Sequence, residues 1–89
     1  MNTNKFYVTR YLTNDKGQDG SGLSMFTGST EDEARTQALV NFHQTCAAYH
    51  NASDVLYALV KIENYKGDFV DGEIIDHRPT EEIPVIAEG

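Results

Sequence analysis

The chain is 89 residues long and carries 14 Asp and Glu against 7 Lys and Arg, a formal net charge of −7. That length makes one domain, which buries only about 60–65% of the surface of its unfolded chain, and with one cysteine no internal disulfide can support it. The acidic balance repels a phosphate backbone and disfavours general nucleic-acid binding, so association with other subunits is the remaining way to gain stability.

Lys5 to Thr13, "KFYVTRYLT", alternates and is rich in aromatic and β-branched residues, which predicts a strand. Asn14 to Gly22, "NDKGQDGSG", has three glycines and reads as a loop, and Leu23 to Thr27 reads as a short returning strand. The stretch from Ser29 to Asn51 predicts the one helix. Thr30 followed by Glu33 fits a capping box, and Glu31, Asp32 and Glu33 suit the positive end of the helix dipole. Ala34, Ala38, Phe42, Thr45, Cys46 and Tyr49 fall on one face, with Leu39 at its margin.

Asp54 to Tyr65 predicts a long strand, Asn64 to Asp68 a hairpin turn with Gly67 at its special position, and Phe69 to Arg78 the returning strand with a bulge at Gly72. Beyond two hairpins flanking a helix, no internal repeat is read. Residues 1–78 form the expected domain. Residues 79–89 are an acidic, proline-containing tail with one apolar segment at Ile83 to Ile86. No stretch is long and apolar enough to span a membrane, and the start lacks the apolar core of a signal peptide, so a cytoplasmic protein is expected.

The expected fold is therefore α+β, ββαββ, with an antiparallel sheet of about four strands and one helix packed on one face. One helix covers one face, yet these strands are apolar on both. Phe6, Val8, Leu12, Leu56, Ala58, Val60, Ile62, Val70 and Ile74 are assigned to the helix side. Tyr7, Tyr11, Val55, Tyr57, Leu59, Tyr65, Phe69 and Ile75 are assigned to the other. A soluble monomer seldom leaves so large an apolar patch open. Tyr7, Tyr11, Tyr57, Leu59 and Ile75 are accordingly the candidate interface residues, to be covered by a second copy or by the tail.

Other candidate sites are weaker. His43, Cys46 and His50 share a helix side, but positions 43 and 50 are about 10.5 Å apart along the axis, too far for one zinc ion to take both histidines. Further ligands would have to come from Asp76 or His77. Cys46 lies in the apolar face, where cysteine behaves as a small buried hydrophobe, and it offers no catalytic thiolate. No metal or cofactor is expected.

The loop Asp15 to Gly20 resembles the start of a calcium loop, but Gly17 and Phe26 stand where two oxygen ligands belong. It is no phosphate cradle, since no Gly-Lys-Ser/Thr follows. The tyrosine face could be compared with surfaces that stack single-stranded RNA, but its Lys61 is balanced by Glu63. No catalytic motif is found.

The runs "KFYVTRYLTN", "STEDEA", "FH" and "VLYALVKIENYKG" together resemble small uncharacterised proteins carried by prophages and mobile elements of gut and Gram-positive bacteria. The likeness spans most of residues 5–78 and implies an accessory protein in that setting. The expected function is that of a non-enzymatic interaction or assembly protein that oligomerises through the helix-free sheet face. Two alternatives are weighed: an acidic inhibitor or nucleic-acid mimic with a basic protein partner, and a small-molecule binder or enzyme with its site at the oligomer interface.

Overall fold

In a computed structural model, which describes residues 4–78, the elements run β1 (Lys5–Asn14), β2 (Asp19–Thr27), α1 (Glu31–Asn51), β3 (Val55–Asn64) and β4 (Phe69–Asp76). The four strands form one antiparallel sheet in the order β2-β1-β3-β4. The expected α+β, ββαββ fold is the observed one. The tail from residue 79, including the apolar segment 83–86, lies outside the described residues.

β2 and β3 flank β1 and both run antiparallel to it, so they point the same way. The connection between them must cross β1, and α1 makes that crossing over one face of the sheet. At 21 residues it is about 31 Å long, close to the length of the ten-residue central strands. Thr30 is its N-cap, its hydroxyl accepting from the Glu33 backbone N–H at 3.1 Å. The Glu33 carboxylate reaches one residue further back than a standard capping box, accepting from the Ser29 N–H and hydroxyl.

Ala34, Ala38, Phe42 and Cys46 are buried on the sheet-facing side of α1, and Leu39 and Tyr49 pack beside them. The small alanines let the helix approach Phe6, Val8, Val60 and Ile62, which have at most 1% of their surface exposed.

The two hairpin turns are built alike, a repeat that the separate strand patterns do not reveal. Asn14 and Asn64 each accept two backbone N–H bonds on Oδ1, from Lys16 and Gln18 and from Lys66 and Asp68. Gly17 and Gly67 follow with φ of 80° and 85°, and each donates its N–H back to the asparagine carbonyl. Only a residue without Cβ adopts that backbone freely. The shared Asn-x-Lys-Gly motif makes β1–β2 and β3–β4 two versions of one hairpin, meeting at the β1–β3 seam.

Three sequence expectations are corrected. β2 starts at Asp19 rather than Leu23, so Gly20 and Gly22 lie in the strand. Gly22 pairs with Arg10, and the guanidinium fills its side-chain space: a Cβ there would stand 2.7 Å from Arg10 Nη2. Arg10 also donates to Ser24 Oγ at 2.9 Å, which ties the two strands together.

Second, the ladder slips between Thr13 and Asn14, so Val55 rather than Leu56 enters the core. Third, it slips between Ile62 and Glu63 opposite Phe69 to Asp71, ahead of the bulge expected at Gly72. Val70 becomes the unpaired residue, and the rest of β4 inverts its facing. Ile75, expected on the open face, is 1% exposed beneath the helix, and Ile74 is 61% exposed on the open face.

Candidate interaction face

On the helix-free face the register sets side chains in four rows across β2, β1, β3 and β4. They read Met25–Tyr7–Glu63–Phe69, Leu23–Thr9–Lys61–Gly72, Ser21–Tyr11–Leu59–Ile74, and Asp19–Thr13–Tyr57–Asp76. Leu23, Met25, Phe69 and Ile74 are each more than half exposed, while Tyr7, Tyr57 and Leu59 between them are half-buried by their neighbours. The expected interface residues Tyr7, Tyr11, Tyr57 and Leu59 are thus brought together on one surface. Ile75 is not among them, and Ile74 stands in its place.

The corners of the face are polar and tied down. Tyr11 and Tyr57 meet edge-on with ring centroids 6.3 Å apart. The Arg78 guanidinium lies 4.8 Å over the Tyr57 ring and donates from Nε and Nη2 to both oxygens of Asp76, at 2.8 and 2.6 Å. That fork holds the Asp76 carboxyl down at about 2. Thr13 donates its hydroxyl to Asp19 at 2.8 Å, and Lys61 pairs with Glu63 at 3.1 Å.

The middle of the face dips into a shallow concavity of about 490 Å³, with Thr9, Tyr11, Leu23, Leu59, Lys61 and Glu63 among its walls. At its floor, the Thr9 hydroxyl is shielded from solvent and has no hydrogen-bond partner among the described residues. An unpaired buried hydroxyl costs roughly 1–3 kcal/mol.

His50 and Cys46 of the helix, together with His77 just after β4, gather at the corner between α1 and β4. His50 Nε2 lies 2.5 Å from Glu73 Oε2, and His77 Nε2 lies 3.2 Å from the Tyr49 carbonyl oxygen. The hydrogen bond from His50 holds the Glu73 carboxyl below its ordinary value. Burial first, and the neighbouring Glu73 carboxylate second, push the Cys46 thiol up to about 12. A thiol so disposed is protonated at neutral pH and is neither a nucleophile nor a ready ligand. His43 stands apart with its ring against Phe42. Among the described residues, no group of three or more His, Cys, Asp or Glu side chains is placed to hold a metal ion. No helix among them is long and apolar enough to cross a membrane.

The residues that sequence reasoning passed over are Leu23, Met25 and Ile74. The first two were within reach, because the alternation of "LSMFT" predicts Leu23 and Met25 on one side and the hairpin sets them beside Thr9 and Tyr7. Nothing in the sequence marks Ile74 over Ile75. No family model, curated protein or solved structure matches the chain.

Proposed function

We propose that this is a non-enzymatic interaction or assembly protein that oligomerises through its helix-free sheet face. The observation that carries the reading is the surface itself: Tyr7, Tyr11, Leu23, Met25, Tyr57, Leu59, Phe69 and Ile74 on one side of an open sheet, with no helix among the described residues over them. Tyrosine and methionine are the residue types that interface cores favour. The sequence resemblance supplies a phage or mobile-element setting for such an accessory protein. Sedimentation at tens of micromolar tests the reading. Wild type is expected to run as an oligomer, and Tyr57→Ser with Leu59→Ser to lower its mass; an unchanged mass overturns it.

A second reading, a small ligand held at the subunit interface, draws on the concavity between Tyr11, Leu23, Leu59, Lys61 and Glu63. A thermal-shift screen with small polar aromatic compounds tests it. Stabilisation that Lys61→Ala abolishes supports the reading, and no shift with any compound sinks it. The acidic-mimic reading gains nothing comparable, because the carboxylates are dispersed: Asp15 and Asp19 at one hairpin, Glu31 to Glu33 at the helix start, and Asp71 and Glu73 along β4.

A further inference from the structure

The two outer strands occupy equivalent places in twin hairpins, yet their edges are treated differently. Counting from the shared turn, Asp71, Glu73 and Asp76 of β4 correspond to Ser21, Leu23 and Phe26 of β2. The β3–β4 ladder is broken by a bulge, whereas β1–β2 pairs without a shift from Lys5 with Thr27 to Thr13 with Asp19. Charges and bulges are the means by which an edge strand is kept from pairing with another chain. β4 has both. β2 has no bulge, and after Asp19 at its start it carries no charge and no proline from Gly20 to Thr27.

Every second N–H and C=O of an edge strand points away from its sheet. Among the described residues, the one side chain that donates to a β2 carbonyl is Gln37, at Thr27. On the helix side the edge borders a groove of about 310 Å³ whose walls include Phe26, Gln37, Val40 and Asn41. There Val40 is 50% exposed, and Asn41 Oδ1 is shielded without a hydrogen-bond partner among the described residues. On the other side Leu23 and Met25 stand more than half exposed.

We propose that the β2 edge docks the β2 edge of a second copy of this chain, the two strands pairing antiparallel about a twofold axis into one continuous sheet. Charge selects this occupant. Two copies at −7 repel one another, so a contact between them belongs where charge is absent, and the Gly20 to Thr27 stretch of β2 offers that. A basic peptide would find no acidic group between Gly20 and Thr27 to meet it. Twofold pairing also sets Leu23 and Met25 of one copy beside those of the other. This contact shares Leu23 and Met25 with the sheet face but is made by the β2 backbone edge, so it is tested separately. Where both operate, two twofold contacts close at four chains if their axes cross at right angles and otherwise extend into an open filament.

The test is hydrogen exchange of residues 19–27, read by mass spectrometry at rising protein concentration, alongside sedimentation. Alternate β2 amides of wild type are expected to slow by roughly tenfold or more between about 1 and 100 μM, as mass action fills the dimer. Ser24→Lys with Val40→Glu, both off the tyrosine face, is expected to abolish that slowing and halve the mass. Tyr57→Ser with Leu59→Ser is expected to keep it. Exchange that does not depend on concentration in wild type overturns the proposal whatever the variants do. Slowing lost only in the Tyr57/Leu59 variant overturns it in favour of the sheet face.

Discussion

His50, in the last turn of α1, and Glu73, in the middle of β4, are joined side chain to side chain, Nε2 to Oε2 at 2.5 Å. It is a polar tie between the end of the helix and the edge strand β4. Both side chains are well exposed, at 49% and 38%, so solvent screens it and a contribution of about 0.2–1 kcal/mol is expected. Glu73→Gln should therefore destabilise slightly at pH 6. The folded carboxyl sits below its ordinary value of 4.5, so its contribution is complete above that pH and fades as pH falls through the lowered folded value. Urea melts of wild type and variant at several pH values check this; a gap that widens as the pH falls below 4.5 contradicts it.

Cys46 is expected to be inert in the folded protein. Its thiol is pushed up to about 12 and its side chain is closed off by the sheet. At pH 8 a thiol reagent should label it only as fast as the protein opens, and denaturant should speed labelling by orders of magnitude. Glu73→Gln should leave the reaction slow, because burial is the larger cause. Rapid native labelling would place Cys46 at the surface.

The two neighbouring isoleucines of β4 should behave as opposites. Ile75→Ala opens a cavity beneath the helix and is expected to cost about 2–5 kcal/mol. Ile74→Ala removes an exposed side chain and should cost less than about 0.5 kcal/mol within one subunit. Equal losses in denaturant unfolding would mean that the β4 bulge is misplaced.

Asp76 should titrate near 2 by NMR. Arg78→Ala removes the two-pronged donor and should return the carboxyl toward its ordinary 3.8, while freeing the face of the Tyr57 ring. An unmoved Asp76 would show that Arg78 does not hold it.

The order of elements was legible because each has a local chemical cause. Thr30 caps the helix, Gly67 turns the second hairpin, and a single alanine and aromatic stripe marks the buried side of α1. What sequence could not supply was facing after a bulge. Alternation gives Ile74 and Ile75 opposite sides, but which goes inward depends on the slip at Ile62 and Glu63, a property of two strands together. Gly22 misled for a similar reason, since its side-chain space in β2 is filled from across the ladder by Arg10. The tyrosine face was readable as a surplus of apolar positions beyond what one helix can cover. The repeated Asn-x-Lys-Gly was also in plain view, but its meaning appears only when both turns are seen to close in the same way.

The twin hairpins also set an order of events for the folding chain. Each closes over a tight turn, a local step completed in about 1–10 μs. The β1–β3 seam instead joins residues from opposite ends of the chain, Phe6 with Asn64 at one extreme and Asn14 with Val55 at the other. Such distant pairing carries the loop-closure cost and governs the rate. Tyr11 and Tyr57 straddle that seam, so their rings come together only when the two halves of the molecule find each other.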